Sequence, residues 1–137
     1  MRIFFINTLL HNKFFSAFVA FLLWGSWAYF VNVGNNKYSG IVSGLSQGIA
    51  SFVITLAMIQ SVAYFYHRIN GDILKIFFPS VITTSITCMF LIIVHHYAGT
   101  HHIFKTIFPA LCVGFMFCLY TTYSLNVTNK NKDTNND

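Results

Sequence analysis

Four long apolar segments dominate this sequence and limit what the chain can fold into. They run from about residue 14 to 33, 41 to 66, 76 to 97 and 103 to 125, and Lys105 is the only charged residue within them. A helix needs roughly 20 apolar residues to cross a hydrocarbon core of about 30 Å. The sequence therefore predicts an all-α fold, an integral membrane four-helix antiparallel transmembrane bundle.

The scarcity of charge supports this class. Only 8% of the residues are charged and 55% are apolar, whereas a soluble domain has roughly a quarter charged residues. The chain has no Glu, and its only acidic residues are Asp72, Asp133 and Asp137. The net charge of +5 does not indicate nucleic-acid binding, because the basic residues are spread singly between apolar segments instead of forming one basic face.

The ends of the chain differ from its middle. Residues 1–128 form one predicted transmembrane domain, and residues 129–137, which contain nothing strongly apolar, are predicted to be a disordered polar tail. Near the start, we expect four apolar side chains to lie along the membrane interface or to extend the first helix: Ile3, Phe4, Ile6 and Leu10. A cleavable signal peptide is the alternative, but the apolar run is too long and too aromatic for one.

One face of the second helix is small and polar. At 100° per residue, seven residues fall within a sector of about 140°: Gly40, Ser43, Gly44, Gln47, Gly48, Ser51 and Thr55. Glycines at four-residue spacing let another helix approach closely, and the polar side chains can form hydrogen bonds across the contact. We favour helix packing, and the alternative is that Gln47, Ser51 and Thr55 line a polar path or a ligand groove.

The third helix repeats this pattern more weakly. Its polar face consists of four hydroxyl-bearing residues: Ser80, Thr83, Thr84 and Thr87. Two half-polar faces in one small bundle are expected to meet. They would form either a wet interior or a hydrogen-bonded packing contact, and hydroxyls that bond their own backbone favour the contact.

The third connection is rich in histidine. The segment HHYAGTHH, called here the histidine hairpin (residues 95–102), contains four imidazoles that are weak candidates for a metal site: His95, His96, His101 and His102. No Cys, Asp or Glu accompanies them, so we expect no tight metal site. Metal binding by this hairpin is nevertheless the alternative function, and a pH-sensing role stays open because histidine titrates near neutral pH.

Several chemistries are excluded by missing residues. No carboxylate lies within an apolar segment, which excludes a carboxylate-driven proton antiporter. There is no Ser-His-Asp set, glycine-rich phosphate loop or HExxH motif. The three cysteines, Cys88, Cys112 and Cys118, lie in apolar segments without CxxC pairing and are interpreted as packing residues. We expect neither enzymatic activity nor a cofactor.

A non-enzymatic role in the membrane is the remaining hypothesis. In size, helix number and basic balance the chain resembles GtrA-type membrane proteins, which are linked to translocation of lipid-carried sugars, and small four-helix immunity and accessory proteins. This resemblance is architectural and transfers no functional residue. We expect a translocation or accessory subunit for a lipid or small solute. Its expected partners are the bilayer and either a homo-oligomer or a larger membrane complex, but no nucleic acid.

Basic residues predict the orientation in the inner or plasma membrane. With the N-terminus inside, the cytoplasmic side holds Arg2, Lys13, Arg68, Lys75, Lys130 and Lys132, and the other side holds only Lys37 and Lys105. This bias follows the positive-inside rule. We expect a reporter fused to the C-terminus to be active only in the cytoplasm. Activity on the opposite side would mean that a membrane crossing was missed or miscounted.

Overall fold

A computed structural model describes residues 13–134, which form four helices: α1 Lys13–Asn32, α2 Lys37–Arg68, α3 Leu74–Tyr97 and α4 Ile103–Thr134. Each helix is long enough and apolar enough to cross a membrane. The prediction of an all-helical chain with four such segments is confirmed. The expectations for residues 1–12, including the placement of Ile3, Phe4, Ile6 and Leu10, lie outside the described residues.

Local chemistry sets the connections between the helices. Asn36 precedes α2, and its side-chain oxygen accepts a hydrogen bond from the Ser39 backbone N–H at 2.6 Å. This bond satisfies one of the N–H groups that the first turn of a helix leaves unpaired. Gly71 and Gly99 lie in the second and third connections with φ of 99° and 65°, which glycine adopts without steric cost.

The fourth helix is longer than the sequence pattern predicts. It continues through residues 129–134, where we expected a disordered tail, so that expectation is corrected for these residues. Extending an existing helix adds one hydrogen bond for each residue fixed, which costs far less than starting a new one. Lys130 also lies 2.8 Å from the carboxylate of Asp72. The hydrogen bond from Lys130 and the positive charge of Lys130 lower the pKa of the Asp72 carboxyl group.

Helices α1 and α2 make the most extensive contact in the structure, and glycines lie at its centre. A Cβ atom added to Gly25 would lie 3.0 Å from the Gly44 carbonyl oxygen, and one added to Gly44 would lie 3.0 Å from the Gly25 oxygen. One added to Gly48 would lie 3.1 Å from the Phe21 oxygen. The two backbones therefore touch with no space for side chains between them.

A proline creates one of the contacts between α1 and α4. Pro109 lies inside α4 and has no N–H, so the carbonyl of Lys105, four residues earlier, lacks its usual helical donor. The indole Nε1–H of Trp27 on α1 donates to that carbonyl oxygen at 3.2 Å. The missing helical bond is thus replaced by a bond between two helices.

Large apolar side chains cover much of the outer surface. On α2 these include Leu45, Ile49 and Val53, each more than half exposed. Many of the buried side chains are polar, with Gln47 and His95 at 0% exposure. Apolar residues outside and polar residues inside reverse the pattern of a soluble protein and indicate a membrane location.

We expect Gly44→Ile and Gly48→Ile to lower the fraction of protein that stays monodisperse in detergent on heating. The added side chains would meet backbone atoms of α1, which cannot move aside without separating the two helices. Leu45→Ile and Ile49→Leu, on the exposed face of α2, are the matched controls and should be nearly silent. Equal tolerance on both faces would show that the glycine contact does not stabilise the fold.

Candidate functional site

His95 lies at the centre of a buried polar network near the end of α3. Its side chain is 0% exposed. The ring Nδ1 lies 2.8 Å from Thr100 Oγ1, and Nε2 lies 2.5 Å from Gln47 Oε1. One ring nitrogen of His95 therefore contacts α2, and the other contacts Thr100 within the histidine hairpin.

The network continues beyond these two contacts. Ser43 Oγ donates to Thr100 Oγ1 at 3.1 Å, and Gln47 Nε2 donates to Ser51 Oγ at 3.3 Å. An amide oxygen can only accept, so His95 carries its proton on Nε2, and the unprotonated Nδ1 accepts from Thr100. The hydrogen bonds then run in one direction from Ser43 to Ser51. A neutral imidazole satisfies every one of them.

A second polar cluster connects α1 with α4 at the same end. Asn32 Nδ2 donates to Thr106 Oγ1 at 2.9 Å and to the Ala28 carbonyl, also at 2.9 Å. Asn32 Oδ1 accepts from the backbone N–H of His102 at 3.2 Å. That N–H lies just before the first turn of α4, where no helical acceptor exists. Together with the Trp27 bond, this cluster holds the end of α1 against the beginning of α4.

Away from this end, the four helices surround a cavity of about 210 Å³. The lining residues of α1 are Lys13, Ser16, Ala20 and Trp24. Those of α4 are Ala110, Leu111, Val113, Gly114 and Phe117. The inner walls on α2 and α3 carry four hydroxyl groups, those of Ser51, Thr55, Thr84 and Thr87, among aliphatic side chains. The cavity is mainly apolar, with hydroxyl groups on its inner side.

The position of the cavity follows from how the helices are held. At the end opposite the histidine hairpin, Tyr66 Oη donates to Asn126 Oδ1 at 3.1 Å and Thr122 Oγ1 donates to the Ile76 carbonyl at 2.9 Å. These bonds join α2, α3 and α4. The side-chain bonds that join α1 to α4, from Trp27 and Asn32, lie at the hairpin end. Helices α1 and α4 are therefore bonded at one end and border a cavity towards the other.

The polar face of α2 divides along its length. Its residues from Gly40 to Ser51 named in the sequence analysis are buried, and Thr55 is partly buried. Gly44 and Gly48 contact α1, Gln47 contacts His95, and Ser51 both accepts from Gln47 and lines the cavity. Thr55 Oγ1 donates to the Ser51 carbonyl at 2.7 Å. The polar face of α2 thus packs against α1 and His95 towards the start of the helix and lines the cavity at Ser51 and Thr55.

The polar face of α3 divides similarly. Ser80 and Thr83 are buried, whereas Thr84 and Thr87 are partly buried and line the cavity. Ser80 Oγ donates to the Ile76 carbonyl at 3.1 Å, a bond within its own helix. The hydroxyls of α3 that border the cavity therefore lie opposite Ser51 and Thr55 of α2.

The four hairpin histidines do not converge on one point. His95 is buried, while His96, His101 and His102 are exposed. Between residues 13 and 134, no group of three or more His, Cys, Asp or Glu side chains could hold a metal ion. Both ring nitrogens of His95 already contact protein partners, so that ring has no nitrogen left for a metal.

The sequence pattern missed His95 as an interior residue and did not identify Asn32. His95 follows Thr84 by eleven residues, which places it only about 20° away around a helix. This periodicity could have assigned His95 to the polar face of α3 instead of grouping it with the other hairpin histidines. No comparable signal pointed to Asn32, since a single amide at the end of an apolar helix also fits a solvated end.

We expect Gln47→Leu and His95→Leu each to lower the unfolding free energy by roughly 1–3 kcal/mol, because each leaves buried polar atoms without partners. The double variant should cost less than the sum of the single variants, since it removes both members of the pair. Denaturation of detergent-solubilised protein with sodium dodecyl sulfate measures these differences. His96→Leu, on the exposed neighbouring histidine, is the control. Strictly additive losses would show that the two side chains do not interact.

Comparison with protein-family models, curated proteins and solved structures gives no match to this chain. The architectural resemblance to GtrA-type proteins is therefore not supported by any family match. Function has to be inferred from the chemistry of the interior itself. Its two main features are a hydrogen-bonded polar network at one end and a mainly apolar cavity next to it.

Proposed function

We propose that this protein is a non-enzymatic membrane protein that holds the apolar part of a lipid or small solute in the cavity bordered by α1 and α4. The cavity of about 210 Å³ is the observation on which this proposal rests. In such a role the protein would act as a translocation or accessory subunit. The membrane would be the inner or plasma membrane, and the assembly either a homo-oligomer or a larger membrane complex.

Both the surface and the charges support an antiparallel bundle with cytoplasmic termini. The exposed surface of the helices is rich in large aliphatic and aromatic side chains, which suits contact with lipid. Lys37 and Lys105 belong to the end that contains the histidine hairpin, whereas Arg68, Lys75 and Lys130 belong to the other end. An excess of basic residues marks the cytoplasmic side. The hairpin would then face outwards.

The polar network favours binding over conduction. It fills the space between α2 and the hairpin with side chains that satisfy one another, and Asn32 joins α1 to α4 beside it. A continuous pore would have to break these bonds and leave buried polar groups unpaired. The cavity would therefore be closed on the outer side, and a ligand would enter from the cytoplasmic half of the bilayer.

The cavity lining also favours a non-enzymatic role. Among the described residues that line it, the polar groups are hydroxyls, the Trp24 indole N–H and the Lys13 ammonium group, and none of these residues is His, Asp, Glu or Cys. General acid–base catalysis needs a group that exchanges protons near neutral pH. Hydroxyl groups can bind and orient a ligand through hydrogen bonds but provide no such proton exchange.

We expect Gly114→Phe to abolish ligand retention in the cavity. Gly114 lines the cavity, and a Cβ atom added there would lie 3.4 Å from Met58 Cε, which is the flexible end of a side chain and not backbone. The measurement is native mass spectrometry of protein purified in mild detergent, which reports bound lipid or solute by mass.

Leu45→Phe is the matched control, because Leu45 is 53% exposed on the outer surface of α2. It should keep the ligand found on the unchanged protein. If Gly114→Phe and Leu45→Phe retain the same ligand to the same extent, the cavity is not the binding site and the proposed function fails.

A further inference from the structure

We propose that the ligand is a single-chain amphiphile with an anionic head group, drawn from the cytoplasmic leaflet, with its head group at Lys13 and its chain along the cavity. This inference rests on the proposed function and specifies the ligand class for the same site. It follows from the size of the cavity, from the charge in its lining and from the energetics of moving an acyl chain out of the bilayer.

The size of the cavity favours one chain. An engineered apolar cavity of about 150 Å³ holds a benzene molecule, and pockets for drug-sized ligands measure about 300–1,000 Å³. The volume here is about 210 Å³. It extends beside α1 from Lys13 to Trp24, which is about 16 Å at the rise of a helix. A space so long and so small in volume is narrow, and it fits one acyl chain better than two.

The charge in the cavity lining favours an anionic head group. Among the described residues, Lys13 is the only charged side chain that lines the cavity, and Ser16, three residues further along α1, lies on the same helix face. None of the described lining residues carries a carboxylate, and the carboxylate of Asp72 lies against Lys130 instead. A lysine side chain can lie along apolar surface with its stem and keep its charged end in a polar environment. An anionic head group would find a cation there and no acidic side chain.

The free energy of binding should distinguish ligands by their head groups more than by their acyl chains. An acyl chain that moves from the bilayer into this cavity exchanges one apolar environment for another, so burial alone provides little driving force. One lysine near an anionic membrane surface contributes about fivefold to affinity. The preference for a charged head group should therefore be modest and should depend on Lys13.

The test compares two single-chain lipids that carry the same acyl chain and differ only in the head group. The protein is placed in lipid nanodiscs, and native mass spectrometry measures how much of each lipid it retains. Lysophosphatidic acid has a net negative head group, and lysophosphatidylcholine is zwitterionic. We expect about fivefold tighter retention of lysophosphatidic acid. Lys13→Gln should remove this preference without weakening lysophosphatidylcholine, while Lys37→Gln, at the exposed start of α2, should leave it unchanged. Two-chain phosphatidic acid should bind more weakly than the one-chain form.

Equal retention of the two probes, or a preference that survives Lys13→Gln, would overturn the inferred head-group contact. Tighter binding of two-chain phosphatidic acid would overturn the inferred chain number. In each of these cases, loss of both probes in Gly114→Phe would still support the proposed function. Retention of both probes by Gly114→Phe would instead overturn the proposed function together with this inference.

Discussion

The hydrogen bond between His95 and Gln47 is the interaction on which the arrangement of the interior depends. In a bilayer, apolar side chains gain little by leaving lipid for protein, so polar bonds and close backbone packing have to hold helices together. The imidazole has two nitrogens, and both are used, by Gln47 on α2 and by Thr100 in the hairpin. Moving α3 along α2 by one turn, about 5.4 Å, would break the bond between His95 and Gln47 and the bond from Ser43 to Thr100. The network therefore fixes the register of α2 and α3.

The cavity is a consequence of where the polar bonds lie. Trp27 and Asn32 attach α1 to α4 at the hairpin end, and glycines hold α1 against α2. At the other end, Tyr66 and Thr122 attach α2 and α3 to α4 instead. Because the described side-chain bonds at that end join α4 to α2 and α3 and not to α1, α1 and α4 border a space that neither fills. The same features that stabilise the fold thus define the proposed binding site.

The periodicity of the sequence predicted the helices and their polar faces more successfully than the residues that these faces contact. Apolar length predicted four membrane-length helices, and the 100° rotation per residue assigned Gly44, Gln47 and Ser51 to one face. It could not show that Gly25 would lie opposite Gly44 or that Asn32 would contact Thr106, because such pairs lie far apart in sequence. The continuation of α4 through residues 129–134 was missed because composition alone does not register the contact of Lys130 with Asp72.

The polar face of α2 has different surroundings on the two sides of Ser51. A uniform stripe of small and polar residues suggests one role, yet this face packs against other helices in one part and lines a cavity in the other. On the hairpin side of this residue the polar groups bond one another, while Ser51 and Thr55 line the cavity on the other side. Ser51 Oγ accepts from Gln47 and can still donate, since a hydroxyl has one proton and two lone pairs. It is therefore where a ligand in the cavity could interact directly with the network that fixes the helix register.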